Sequence, residues 1–204
     1  MLNPSPFTIL VQAQGELIRW LKALPCQCYD PSQNYDGQRN CSLCDHGWVY
    51  RDQGTQQGLV ANQKRSVLHP ELGWITQEDV TLTVMPDELR FGRFDKVVLL
   101  ARTNLARELL HRGADVLGQA YPVAVNEVAD GTLVYVAGTD YCVNLTTGVV
   151  TWMTGGPTNV YAVEYTYRPL FWFAESELRP GRPTGAGEVM TPQRGLLLTA
   201  PPEA

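Results

Sequence analysis

Residues 121–167 read YPVAVNEVADGTLVYVAGTDYCVNLTTGVVTWMTGGPTNVYAVEYTY, and this stretch decides the predicted fold class. Short apolar runs are separated by turn signals, of which Asp130-Gly131 is the strongest because this pair favours a two-residue hairpin. Val160–Tyr167 alternates with the period of two that a strand requires. Strands at intervals of about 8–12 residues are typical of antiparallel barrels and sandwiches. The sequence therefore predicts a mainly β protein, as a small antiparallel β-barrel or sandwich.

The stretch upstream of this region extends the β pattern. Residues 79–84 alternate in polarity, and residues 96–100 form a short apolar run, so both are predicted strands. Residues 103–112 carry leucines at helical spacing and are predicted to form a short helix. Residues 53–66 are weakly patterned and are predicted to form a loop or a poor hairpin.

An N-terminal helix is predicted from Ser5-Pro6, which resembles an N-cap followed by proline at the first helical position. Apolar residues then recur at spacings of three, four and seven up to Leu24, which favours an amphipathic helix of about 18 residues. Pro25 ends this predicted helix, and Cys26 follows directly. The first cysteines are thus expected at the end of a rigid element.

A metal site is predicted from the cysteine spacing. Two pairs occur, Cys26-x-Cys28 and Cys41-x-x-Cys44, and the fifth cysteine, Cys142, is interpreted as a small core residue on a strand. Four thiolates complete the tetrahedral shell of a structural zinc ion and leave no open position for a catalytic water. Free cysteines or two disulfides are the alternative, although a bridge between Cys26 and Cys28 would be strained.

Two neighbours of the cysteines have possible roles in this site. Gly47, three residues after Cys44, is suited to a tight backbone turn, and His46 is a possible substitute ligand. Because the segment around the cysteines has little apolar mass, the metal is expected to hold it folded.

Composition restricts the classes of function. The chain of 204 residues has a formal net charge of -5, which disfavours a general nucleic-acid binder. No apolar run reaches the ~18 residues of a membrane span, and the N-terminus has no pattern of a secretory signal. A reducing cytoplasm is therefore expected, where paired cysteines are more often metal ligands than disulfides.

No catalytic motif is found in the sequence. The histidines, His46, His69 and His111, have no catalytic spacing, and no nucleophile elbow, phosphate loop or dinucleotide fingerprint occurs. Adjacent acids such as Glu78-Asp79 are interpreted as solvated, and the chain is predicted not to be an enzyme. The apolar run 168–173 is a candidate subunit contact. Three parts are expected: 1–52 with the helix and zinc segment, 53–177 as the β body, and 178–204 as a Pro-rich C-terminal arm.

Several of these segments resemble neck proteins of tailed bacteriophages. Residues 24–50, LPCQCYDPSQNYDGQRNCSLCDHGWVY, resemble a cysteine-rich insert in those proteins, where a similar double cysteine pair precedes a glycine and an aromatic strand. Residues 138–141, 148–152 and 161–169 are similar to their β-rich body. Together these segments cover about half of the chain.

The resemblance implies a head-completion or connector protein that links portal and tail, with head closure as the preferred role. It implies a homo-oligomeric ring, sixfold or twelvefold, that contacts portal or adaptor and tail proteins. DNA would only pass through its lumen. The location implied is the virion, and the host cytoplasm during assembly, with no membrane association.

Two other classes of function remain open at this point. A zinc-ribbon nucleic-acid-binding module would need Lys and Arg clustered near the cysteines, and acids offset those present. A β-sandwich enzyme that acts on polysaccharide would need two facing carboxylates in a cleft.

Overall fold

The computed structural model describes most of the chain, namely residues 6–29, 41–45, 47–69, 73–84, 91–92, 94–131, 133–153, 155–173, 182–183, 189–190 and 193–197. The chain divides into two compact units: the first comprises Met1–Val98 and Phe171–Leu197, and the second is built on Leu99–Leu170. This division differs from the expected one, since it separates the predicted β body into two units.

The protein is mainly β, as predicted. Helix α1 spans Pro6–Gln14. The strands are β1 (Glu16–Pro25), β2 (Trp48–His69), β3 (Gly73–Val84), β4 (Lys96–Leu99), β5 (Asn104–His111), β6 (Pro122–Asp130), β7 (Leu133–Val134), β8 (Tyr141–Asn144), β9 (Val149–Trp152), β10 (Val160–Tyr167), β11 (Leu170–Trp172), β12 (Arg182–Pro183), β13 (Val189–Met190) and β14 (Gln193–Leu197).

The first unit is a sheet that curls into a barrel in the order β1-β2-β3-β14-β11-β4. Its core is formed by apolar side chains of these strands and of the turn before β4. The buried members include Ile18, Trp20, Val80, Leu82, Phe91, Val97, Val98, Phe171 and Phe173. The apolar run 168–173 therefore contributes to this core through Phe171 and Phe173, and its prediction as an exposed subunit contact is wrong for these two residues.

The predicted N-terminal helix exists, but its predicted length is wrong. Helix α1 ends at Gln14, where the N–H of Gly15 donates to the carbonyl of Val11 at 2.7 Å. A Cβ at Gly15 would lie 2.2 Å from that carbonyl oxygen, so the turn needs glycine. After it, Ile18 and Trp20 face the core with a period of two, and β1 pairs with β2 instead of extending the helix.

The predicted loop or poor hairpin at 53–66 is instead part of a continuous strand. Strand β2 runs from Trp48 to His69 and pairs antiparallel with β3 from Gly58↔Val84 to His69↔Gly73. The backbone pairing with β3 makes this segment a regular strand, although its weak polarity pattern does not indicate one.

The second unit contains a sheet in the order β5-β10-β6-β7 and the hairpin β8-β9. The helix predicted at 103–112 is wrong, because β5 occupies Asn104–His111 and pairs with β10 along its whole length. The Asp130-Gly131 turn is confirmed, with Asp130 paired to Leu133 across it. The core of this unit consists of Leu110, Leu117, Val128, Tyr141, Val150, Tyr161, Val163, Tyr165 and Tyr167.

Two further predictions concern Cys142 and the C-terminal segment. Cys142 lies on β8 as predicted, but its side chain is exposed and is not a core residue. Within 178–204, β14 pairs with β3 and β11, so this part of the segment belongs to the barrel of the first unit. Of the residues between the two cysteine pairs, 30–40 lie outside the described residues.

Candidate metal centre

The four paired cysteines lie at one end of the β1-β2 hairpin. Pro25 and Trp48 form the last pair of this ladder, so Cys26 leaves β1 at the point where Gly47 enters β2. The second cysteine pair, Cys41 and Cys44, immediately precedes this entry. Two antiparallel strands thus bring together cysteines that are 13 to 18 residues apart in the sequence.

Backbone hydrogen bonds join the two cysteine turns. The N–H of Cys26 donates to the carbonyl of Gly47 at 2.8 Å. Asp45 and Trp48 exchange hydrogen bonds in both directions, at 3.0 and 2.9 Å. Gly47 has φ of 90°, which agrees with its predicted role in a tight turn, since this conformation favours glycine. These hydrogen bonds place the two cysteine turns side by side.

The sulfur positions fit a tetrahedral ion. All four Sγ atoms lie within 4.8 Å of one another. The Cys26 and Cys41 sulfurs are 4.0 Å apart, and those of Cys28 and Cys44 are 3.3 Å apart. A regular tetrahedron with metal–sulfur bonds of ~2.3 Å separates its sulfurs by ~3.8 Å. The cysteines are not joined as disulfides, and the cluster can hold a metal ion.

The thiols of this cluster differ in acidity. The backbone N–H of Leu43 and the neighbouring thiols lower the pKa of Cys41 to about 7. Desolvation, with the thiols of Cys28 and Cys41, raises the pKa of Cys44 to about 12. The cluster without a metal therefore retains protons, and a bound divalent cation would displace them, because only thiolates ligate.

A buried cation lies beside the second cysteine turn. The Nζ of Lys96 on β4 is 2.7 Å from the Oδ2 of Asp45, the residue after Cys44. It also lies 4.0 Å from the ring centroid of Tyr50. Lys96 is only 9% exposed. The positive charge is therefore fixed near a site that four thiolates and a divalent ion would leave with a net charge of about -2.

A row of aromatic rings extends from the cysteine turns across the first unit. Successive ring centroids are 5.0 Å apart for Tyr29 and Trp48, 4.5 Å for Trp48 and Phe94, and 5.4 Å for Phe94 and Trp172. Such spacing is typical of favourable aromatic pairs. This row and the Lys96–Asp45 pair have no signal in the sequence, because their members lie far apart along the chain.

Of the histidines and adjacent acids considered from the sequence, only His111 has a side chain that the structure describes. His46 lies outside the described residues, and His111 is exposed at the end of β5. The side chains of His69 and of Glu78-Asp79 also lie outside what the structure describes. Among the described residues, the four cysteines form the one group with metal-ligand geometry.

Comparison of the chain with protein-family models and with curated proteins gives no match. In the part of the chain that the structure describes, no helix combines the length and the apolar character needed to cross a membrane.

Proposed function

We propose that this chain is a non-enzymatic structural protein of a tailed-bacteriophage neck, a ring-forming head-closure or connector subunit between portal and tail. The observation that carries the proposal is the closed set of four sulfurs at the end of the β1-β2 hairpin. Four protein ligands fill a tetrahedral shell, so the metal would shape a contact surface and would not activate water. The resemblance of residues 24–50 to the neck-protein insert supplies the biological setting.

Zinc is the metal that we propose for the site. Four thiolates favour soft or borderline ions in tetrahedral geometry, and zinc is the ion most often found in such structural sites. The described residues around the cysteines are mostly half-buried or exposed. Metal binding would therefore supply stability that side-chain packing alone does not supply there.

The exposed surface of the second unit also suits assembly. Its exposed large apolar side chains include Leu105, Leu109, Leu133, Val134, Val136 and Met153. Apolar side chains in such number favour contacts with other proteins. The net charge of -5 suits a protein past which DNA moves without sticking.

Native mass spectrometry of the full chain, with metal analysis, tests this proposal. We expect one zinc ion per chain and a ring, in addition to any smaller species that the free protein forms. The matched variants are Cys41→Ser, which should lose the ion, and Cys142→Ser, which should keep it. A metal-free monomer would contradict the proposal. Tight, salt-dependent binding to DNA would favour the nucleic-acid-binding alternative instead.

A further inference from the structure

The edge of the second unit's sheet is formed by β5, which is a long and regular edge strand. It pairs with β10 from Asn104↔Tyr167 to His111↔Val160 without a register shift. Natural edge strands are usually protected by proline, by charged side chains, by a bulge or by short length. Strand β5 has eight residues and contains no proline or bulge, and its two charged side chains, Arg107 and Glu108, already bond to Glu164 and to the N–H of Gly118. Such an edge favours pairing with another strand.

The hydrogen-bond pattern shows which backbone groups of β5 face outward. Arg112, next in register after His111, donates to the carbonyl of Asn159 at 2.7 Å. Bonded pairs alternate along an antiparallel ladder, so Leu110, Glu108 and Ala106 also bond to β10. The carbonyl of His111 accepts from Ala114 on the opposite side, at 2.9 Å, which agrees with this alternation.

Leu105, Arg107 and Leu109 consequently direct their N–H and C=O groups away from β10. No backbone partner for them is found within the described residues. Their side chains lie on the face opposite the core, where Leu105 is 51% and Leu109 69% exposed. The Nε of Arg107 donates to the Oε2 of Glu164 on β10 at 2.6 Å, so the one charge in this group is already paired.

We propose that β5 pairs antiparallel with β5 of a second copy of this chain, about a twofold axis at Arg107. The outward residues read Leu-x-Arg-x-Leu, which is the same in both directions. In this register each Leu105 lies opposite Leu109 of the second copy, and both strands satisfy their outward backbone groups. The two guanidinium groups that meet at the axis are each neutralised by Glu164 of their own copy.

The neighbouring registers are less favourable. A shift by two residues in one direction places Glu108 opposite Glu108 of the second copy and Arg107 opposite Leu109. A shift in the other direction places Leu105 opposite Arg107. Like charges directly opposite each other destabilise a ladder, and apolar pairs stabilise it. In the proposed register Ala106, a small residue, lies opposite Glu108.

This pairing is independent of the proposed function. A twofold contact is closed and does not propagate around a ring, so it joins two free copies of the chain whether or not a ring also forms. It would keep the edge from uncontrolled aggregation.

Sedimentation velocity of the full chain over a range of concentrations tests the pairing, together with amide hydrogen exchange. We expect a dimer in which the amides of Leu105, Arg107 and Leu109 exchange slowly. The double variant Leu105→Lys/Leu109→Lys should raise the dissociation constant at least ~10-fold and make these amides exchange rapidly. The matched control is Val134→Lys, which alters an equally exposed apolar residue of the same sheet, 56% exposed, away from the β5 edge. It should leave the dimer unchanged.

The amides of Ala106 and Glu108 bond to β10, so their slow exchange in the double variant would show that the sheet remains folded. A chain that stays monomeric at all concentrations would overturn the proposal. A dimer that the double lysine variant does not weaken, or that Val134→Lys weakens equally, would also overturn it.

Discussion

Each of the two units contains an aspartate, buried in the first unit and half-buried in the second, that accepts a hydrogen bond from a tryptophan indole, but the two sites differ in their other partners. In the first unit, Asp95 accepts from Trp20 Nε1 at 2.8 Å and from the backbone N–H groups of Ala23 and Gly92 at 2.8 and 2.7 Å. This carboxyl joins β1 to the turn before β4.

In the second unit, Asp115 accepts from Trp152 Nε1 at 3.1 Å and from the hydroxyl of Tyr161 at 2.7 Å. The N–H of Gly113 donates to it at 2.9 Å, and the Arg112 guanidinium lies 3.3 Å away. This carboxyl therefore has a cation beside it.

The two pKa values shift in opposite directions because the two carboxyls are buried to different extents. Burial raises the pKa of Asp95, which is only 2% exposed, and its hydrogen bonds offset only part of that effect. Burial also acts to raise the pKa of Asp115, but the hydrogen bonds from Tyr161, Gly113 and Trp152 and the charge of Arg112 outweigh it. The comparison teaches that hydrogen bonds from indole and amide groups lower the pKa of a carboxyl only where they outweigh its desolvation.

The largest effect is expected from removal of a thiolate in the first unit. Cys41→Ser should abolish stoichiometric zinc binding and loosen the turns around Cys26 and Gly47, because metal binding supplies on the order of 10 kcal/mol in such sites. The second unit should keep its structure. Metal analysis and amide exchange, resolved by residue, measure both effects.

Cys142→Ser is the matched control for this variant, since its thiol is exposed and outside the cluster. If the amides of both units lost protection equally in Cys41→Ser, the view that the metal stabilises the first unit only would be contradicted.

A smaller effect is expected from Asp115→Ala in the second unit. The variant leaves the Tyr161 hydroxyl and the Trp152 indole without their acceptor, and we expect a loss of ~3 kcal/mol in the free energy of unfolding of this unit. Denaturant unfolding followed by amide signals of each unit measures it. Asp115→Asn keeps an acceptor oxygen and should lose less. If the first unit were destabilised instead, the assignment of the Asp115 hydrogen bonds to the stability of the second unit would be contradicted.

The two aspartates should also give opposite pH dependences. The stabilisation from Asp115, whose pKa is lowered, is present above the unfolded value of ~3.9 and is lost as the pH falls through the folded value. Asp95, whose pKa is raised, should destabilise the first unit as the pH rises from ~3.9 through the folded value. Unfolding measured per unit at a series of pH values tests both signs.

Asparagine variants are the controls for these pH effects. Asp95→Asn should flatten the pH profile of the first unit only, and Asp115→Asn that of the second unit only. If stability changed with pH in the same direction in both units, the opposite pKa shifts of Asp95 and Asp115 would be contradicted.

The smallest effect is expected from Lys96→Met. It removes the cation beside Asp45 and the cysteine turn, but the Asp45 side chain is half exposed and solvent can replace the lost partner. We expect a loss of about 1 kcal/mol and a few-fold faster transfer of zinc to a chelator. Lys96→Arg keeps the charge, so its stability and its rate of zinc transfer should be closer to those of the unaltered protein. A transfer rate unchanged in Lys96→Met would show that this cation has no influence on the metal.

The sequence predicted features that depend on local patterns. The alternation in Val160–Tyr167 and the Asp130-Gly131 turn were sufficient to predict a mainly β protein, and the cysteine spacing was sufficient to select the four sulfurs that converge. Zinc itself and the virion role stay predictions.

Features that depend on distant partners were not predictable in the same way. The segments that form β1 and β5 carry apolar residues at spacings that also fit a helix, and pairing with β2 and β10 decides between the two. Asp95 bonds to a tryptophan 75 residues away, for which no local signal exists.

The pairing of Pro25 with Trp48 has a practical consequence for how correct folding can be followed. Slippage of this ladder by one residue would turn Cys26 to the opposite side of the hairpin and separate it from its companions. Added cobalt, whose visible absorption depends on tetrahedral thiolate coordination, would thus give a colour that only the correctly aligned strands produce.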